Sequence, residues 1–286
     1  MSDPVDPMVT YLHKAEHEIQ SHTVKTTDDR FKLSSAKKML AFLEYVPEKY
    51  KTGPWSPAAH LALYGIGCFV VLTLQDAMDT YEPHDYAKSP PWLQAFRLIA
   101  GLYGIAHIIF TFQQLGVWPF VSYTLTSWNL MTLRLLAAYL AGTGWTAWVP
   151  LANLTRFPAL VMNTVTVVVW WLVLVPLIDY LLRSNRRERA FFWTFNLSAP
   201  LLNVHLLNLP LVALDFLHSG QKLRFFDLHV AVCVALGYSV FYLTVLDPLG
   251  LHFYLILTPR SRLCLLSYGL ILGGYCALFH LWNSLL

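Results

Sequence analysis

Residues 121–136 read Val121-Ser-Tyr-Thr-Leu-Thr-Ser-Trp-Asn-Leu-Met-Thr-Leu-Arg-Leu-Leu136: three threonines, two serines, an asparagine and an arginine set in an apolar run. A polar group in hydrocarbon costs free energy unless it is bonded or used. The run overlaps a longer stretch, 98–133, that holds no Asp, Glu, Lys or Arg, and equally uncharged stretches recur at 157–178, 190–214 and from 263 onward. Each can cross a hydrocarbon core roughly 30 Å thick at about 1.5 Å per residue. The chain therefore reads as all-α, a polytopic transmembrane helical bundle.

Composition agrees. Of 286 residues, 56% are hydrophobic and only 13% charged, with a mean hydropathy of +0.47; soluble domains carry about a quarter charged residues. A net charge of +3 is too small to suggest a nucleic-acid partner. The four cysteines, Cys68, Cys233, Cys264 and Cys276, fall in expected spans without a Cys-x-x-Cys pair, so neither a disulfide framework nor a metal site is expected. The acidic start of the chain lacks an apolar core, so the first span is expected to target it to the membrane.

Two domains of unequal kind are expected. Residues 1–55 balance eight basic against eight acidic residues and form a cytosolic segment. Within it, 35–46 has helical apolar spacing behind two lysines, suited either to the membrane surface or to the protein's own cytosolic ends. Residues 56–286 form the transmembrane domain. About seven spans are expected, at 57–75, 92–113, 119–141, 158–182, 197–217, 226–247 and 263–284, or six if 57–75 does not cross. The loop 183–189 carries four arginines and 258–262 two more, while 76–91 is acidic. By the positive-inside rule the arginine loops and the N-terminus are cytosolic, with Lys222 and Arg224 dissenting. The sequons at Asn153 and Asn196 are read as chance.

On this topology Thr126 lies about 10 Å, and His205 about 12 Å, in from the cytosolic side. A threonine hydroxyl is a poor nucleophile until a base takes its proton, and imidazole suits that task near neutral pH. The competing reading makes Thr126 a hydroxyl bonded to its own helix and His205 a packing residue. Arg134 and Asp215 are the other costly intramembrane groups. They fall at similar depth in the outer half, as an ion pair between spans three and five or with Arg134 holding a fatty-acid carboxylate. Asp179 sits where it can meet the arginine loop or hold His205. His107, His205, His229 and His280 together also admit a b-type haem between helices.

The run Ser89-Pro-Pro-Trp-Leu-Gln-Ala-Phe-Arg-Leu-Ile-Ala-Gly-Leu-Tyr103, then Ser122-Tyr-Thr-Leu-Thr-Ser-Trp-Asn-Leu130, resembles the androgen-induced-gene/rolling-stone family of multipass membrane proteins, fungal-type branch. The later His205-Leu-Leu-Asn-Leu-Pro-Leu-Val-Ala-Leu-Asp-Phe-Leu217 is similar to that family's His-bearing helix. The resemblance implies a threonine hydrolase of the endoplasmic reticulum or plasma membrane that cleaves fatty-acid esters of hydroxy fatty acids. It puts the nucleophile at Thr126, with Thr124 as alternative, and the base at His205. It implies a lipid substrate and no cofactor. Asn129, one turn from Thr126, could donate to the oxyanion, and Asn208 could orient the imidazole or the substrate; both asparagines equally serve as glue between helices. A non-enzymatic transporter or adaptor stands as the alternative function.

Overall fold

The computed structural model describes residues 53–249, 258–261 and 264–286, and the expected surface helix at 35–46 lies outside them. The described residues are all-helical, with no strand. Helix α1 (Pro57–Leu72) starts on Ser56, whose side chain accepts from Ala58 N, and it breaks at Thr73 before a short α2 (Leu74–Asp79). Helix α3 (Pro91–Leu115) begins with proline in its first turn and stops at Gly116, whose φ of 70° closes the end without a Cβ clash. Helix α4 (Tyr123–Gly142) is capped by the Ser122 side chain, which accepts from Leu125 N at 3.3 Å.

The fourth crossing is a long one. Helix α5 (Val149–Val169) passes into a π-helical turn (Trp170–Leu174) and on into α6 (Val175–Leu181). It begins nine residues before the expected 158, and Pro158 stands inside it. Pro158 reads as a start signal, and Arg156 as the edge of the polar loop. Both are instead buried in the helix because Arg156 finds backbone carbonyls to bond.

Helix α7 (Arg186–Asn196) is amphipathic and capped by Asn185, whose side chain accepts from Glu188 N. Then come α8 (Ala199–Leu202), a second π-helical turn (Asn203–Leu207) and α9 (Asn208–Ser219), which ends at Gly220 in the left-handed region. Helix α10 (Phe225–Phe241) continues through a third π-helical turn (Tyr242–Leu246), and α11 (Cys264–Ser284) ends the chain.

Among the described residues five continuous helical stretches are long and apolar enough to cross a membrane: Pro91–Gln114, Thr146–Tyr180, Ala199–Ser219, Phe225–Leu246 and Cys264–Ser284. Helix α1 is apolar but shorter.

Helix α5 forms the axis, packed on α4, α9, α10 and α11. Its Phe157, Leu160, Val161 and Met162 are fully buried against Trp128, Val212, Phe216 and Trp282. Helices α3 and α4 run antiparallel at very short separation. A Cβ added to Gly101 would lie 2.5 Å from Leu136, and one on Gly104 would lie 2.3 Å from Thr132. Small residues allow this approach, and membrane helices gain contact from it where hydrophobic driving force is absent. Trp128 fills the seam, donating from Nε1 to Gly104 O at 3.3 Å.

Candidate functional site

Two polar regions lie inside the bundle. The first surrounds Thr126 and His205. Helix α4 packs against the π-helical turn that carries His205, so the two elements chosen from the sequence are neighbours. Their side chains, however, are bonded elsewhere. Thr126 Oγ1 donates to Ser122 O at 2.8 Å, the usual recourse of a helical threonine. His205 is buried, its Nδ1 lies 3.1 Å from Leu201 O, and its ring stacks on Trp170 at 3.8 Å between centroids. Trp171 Nε1 donates to the His205 carbonyl at 2.6 Å. Among the described residues no hydrogen bond joins Thr126 to His205.

The backbone around His205 is unusual. Two π-helical turns face each other, one holding His205 and the other supplying Trp170 and Trp171. Single π-turns inside α-helices are rare and often coincide with functional sites. The Nδ1–H to Leu201 O contact, with Nδ1 assigned as the donor, leaves Nε2 with its lone pair.

The flanking asparagines divide. Asn208 Nδ2 donates to Asn163 Oδ1 at 2.8 Å, and Asn163 Nδ2 donates in turn to Ser127 O at 3.0 Å. Asn208 thus ties α9 to α5 and α4 instead of orienting His205. Asn129 has a buried Oδ1 with no partner among the described residues. Of the other histidines, His107 is engaged at both ring nitrogens, by Asn203 at 3.3 Å and Thr111 at 3.4 Å. His229 lies 2.8 Å from Val70 O. No group of three or more His, Cys, Asp or Glu suited to a metal ion occurs among the described residues, and the four cysteines are free. Asp179 meets Arg189 at 2.6 and 2.7 Å and Trp193 Nε1 at 2.7 Å, the arginine-loop option and not the His205 one.

The second region lies at the other end of the same helices, and here the sequence found two members of a larger set. Asp215 is clamped between two guanidiniums: Arg134 Nε donates to Oδ2 at 2.9 Å and Arg97 Nε to Oδ1 at 2.6 Å. Side-chain exposures of 0–2% make this a fully desolvated triad. Arg134 Nη1 also donates to Ala152 O at 2.6 Å and to Tyr86 OH at 2.5 Å, and Arg97 Nη1 donates to Ser89 Oγ at 2.8 Å. Tyr86 OH donates to Asn153 Oδ1 at 2.9 Å, so the sequon asparagine is buried structure. Asn196 is likewise buried, accepting from Trp170 Nε1 at 2.8 Å.

Arg97 was legible by the rule that flagged Arg134, since it falls inside the span expected at 92–113. Tyr86 and His84 carry no such signal, because they come from a loop folded back onto the helix ends. His84 Nδ1 lies 2.6 Å from Gln221 Oε1. Burial, joined by the guanidiniums of Arg134, Arg156 and Arg97, pushes the His84 imidazole down to about 4 against the hydrogen bond to Gln221.

No protein-family model, curated protein or solved structure matches the chain.

Proposed function

We propose that the chain is a seven-span integral membrane protein that hydrolyses lipid esters, with Thr126 as nucleophile and His205 as base. The seven crossings are α1 with α2, α3, α4, α5 with α6, α8 with α9, α10, and α11. The arginine loop and the N-terminus lie on the cytosolic side. The observation that carries the reading is His205, a buried imidazole on a π-helical turn with Nδ1 bound to a carbonyl, on the segment that packs against the helix of Thr126.

In the reaction, rotation about χ1 frees the Thr126 hydroxyl from Ser122 O. His205 Nε2 accepts its proton as Oγ1 attacks the ester carbonyl. The C–O bond to the alcohol breaks, and the imidazolium returns the proton to the leaving oxygen. Water, deprotonated by the same imidazole, then cleaves the acyl-threonine and restores both groups. Trp170 stacks on the ring, and Asn129, one turn from Thr126, would meet the oxyanion through its Nδ2 amide hydrogens. The substrate is a lipid that reaches the site from the bilayer, and the housing membrane is the endoplasmic reticulum or the plasma membrane.

The test uses purified full-length protein and a fluorophosphonate probe. Labelling is expected in the wild type and in Thr143→Ala, an exposed threonine of α4's end, and is expected to vanish in Thr126→Ala and His205→Ala. Labelling that survives Thr126→Ala but not Thr124→Ala would move the nucleophile by half a turn. No labelling of the wild type, or labelling untouched by either substitution, would end the hydrolase reading. A Soret band in the same preparation would assign the histidines to haem instead.

A further inference from the structure

The outer-half centre carries more positive charge than it can balance. Arg97, Arg134 and Arg156 are 0–5% exposed, and the buried carboxylates near them are Asp215 and Asp227. Asp227 stands 4.0 Å from Arg156, and Asp215 is already shared by the other two guanidiniums. His84, within electrostatic reach of all three arginines, is neutral at physiological pH and leaves the balance unchanged. Among the described residues one positive charge remains without a counter-charge in a desolvated place, which costs several kcal/mol if left so.

The hydrogen bonds point the same way. Arg97 Nη2, Arg134 Nη2 and Arg156 Nε are all buried and have no acceptor among the described residues. Arg156 spends its other donors on the carbonyls of Gln221 and Lys222, and the remaining polar neighbours, Tyr86, Ser89 and Asn153, are already engaged. Water would satisfy donors but not charge. An anion with several lone pairs does both.

We propose that the Arg97–Arg134–Arg156 centre is a binding site for a small, singly charged anion, either a free halide or the carboxylate end of a fatty acid. A single charge fits because the excess is one. Small size fits because the guanidiniums are enclosed. A groove of about 830 Å³, lined by Asp79, Tyr81, Glu82, Leu223, Arg224 and Asn283, opens beside the centre, and the proposed approach runs from it. It shares a wall with the centre. Tyr81 OH accepts from Asn153 Nδ2 at 3.2 Å, and Leu223 directly follows the two carbonyls that Arg156 caps. The site is independent of hydrolysis at Thr126.

The experiment takes full-length protein in neutral detergent at fixed ionic strength and replaces chloride by gluconate, whose hydroxylated chain holds its water and is not accepted by a desolvated site. The melting temperature is expected to fall and to recover with chloride or bromide, or with laurate but not methyl laurate, and the two recoveries separate a free halide from a lipid carboxylate. Radiolabelled chloride or laurate is expected to stay with the protein through gel filtration near one per chain. Arg156→Gln, which removes the excess charge, is expected to weaken retention at least tenfold, while the exposed-loop variant Lys222→Gln retains it. If Arg156→Gln does not fold, wild-type retention alone decides. Retention of neither anion, with equal melting in chloride and gluconate, overturns the proposal, and so does retention untouched by Arg156→Gln.

Discussion

The two polar regions of this bundle solve one problem in opposite ways. Around Asp215, charge meets charge: each carboxylate oxygen accepts from a guanidinium, and a loop tyrosine and an asparagine close that end. Around His205, nothing is charged. The hydroxyl of Thr126 turns back on its own helix, the imidazole is held by a ring stack and one backbone carbonyl, and Trp171 bonds the His205 carbonyl. A triad of ions is rigid because any departure strands a charge. A neutral hydroxyl bonded to its own i−4 carbonyl can rotate away at the cost of one bond worth about 0.5–1.5 kcal/mol. By this contrast the end around Asp215, the outer half in the topology proposed above, holds α3, α4 and α9 together, while the end around His205, its inner half, is left able to rearrange.

Removing the shared carboxylate should therefore have the largest effect of any single change. Asp215→Asn leaves Arg97 and Arg134 buried without a counter-charge and is expected to destabilise by about 3–5 kcal/mol. Thermal or denaturant unfolding in detergent would measure this as loss of the folded fraction. A variant that melts within a degree or two of wild type would show that the triad is not what joins these helices. A bulky residue in the α3–α4 seam comes next. Gly104→Val places its Cβ on Thr132, which is itself β-branched and bonded to Trp128 O at 2.9 Å, so little can give way. The expected loss is about 1–3 kcal/mol, measured in the same unfolding assay.

Acid tests the outer centre a third way. The folded pKa of His84 lies below its ordinary value, so between about 4 and 6.5 the unfolded chain binds the extra proton. Stability is then fully present above about 6.5 and is lost as pH falls toward 4. Going from pH 7 to 5 should cost on the order of 1–2 kcal/mol once solvent screening is allowed for. His84→Gln should flatten that slope. A slope as steep in His84→Gln as in the wild type would assign the acid sensitivity to other groups.

What the sequence made legible follows from these energies. Long uncharged runs mark apolar helices because hydrocarbon tolerates so little else, and the ends expected for α3, for the run from α8 through α9, for α10 with its π-helical turn and for α11 fall within two residues of those observed. Arg134 and Asp215 stood out for the same reason and do pair. The errors come where a charged residue is buried by partners that sequence cannot show. Arg156 made α5 look nine residues shorter than it is because its bonds run to carbonyls across a loop. Tyr86, His84 and Asn153 join the centre only because residues 80–90 fold back on the helix ends. Periodicity was silent about the π-helical turns as well, since one extra residue in a turn shifts a hydrophobic face by less than the face is wide. Matched depth put Thr126 and His205 on neighbouring elements but said nothing of their rotamers.

The smallest predicted effect is also the sharpest probe of the inner half. Trp171 Nε1 is the one side-chain donor to the His205 carbonyl among the described residues, at 2.6 Å. Trp171→Phe keeps the apolar ring and removes that bond, so stability should fall by only about 1 kcal/mol. If the bond is what holds His205 on its π-helical turn, losing it lets the segment relax toward a regular helix and swings the imidazole away from the start of α4. Probe labelling at Thr126 should then slow far more than melting declines. A protein that labels at the wild-type rate would show instead that the Trp170 stack alone positions the ring. The inner half would then be as firmly built as the outer, and the contrast between the two would rest on charge and not on mobility.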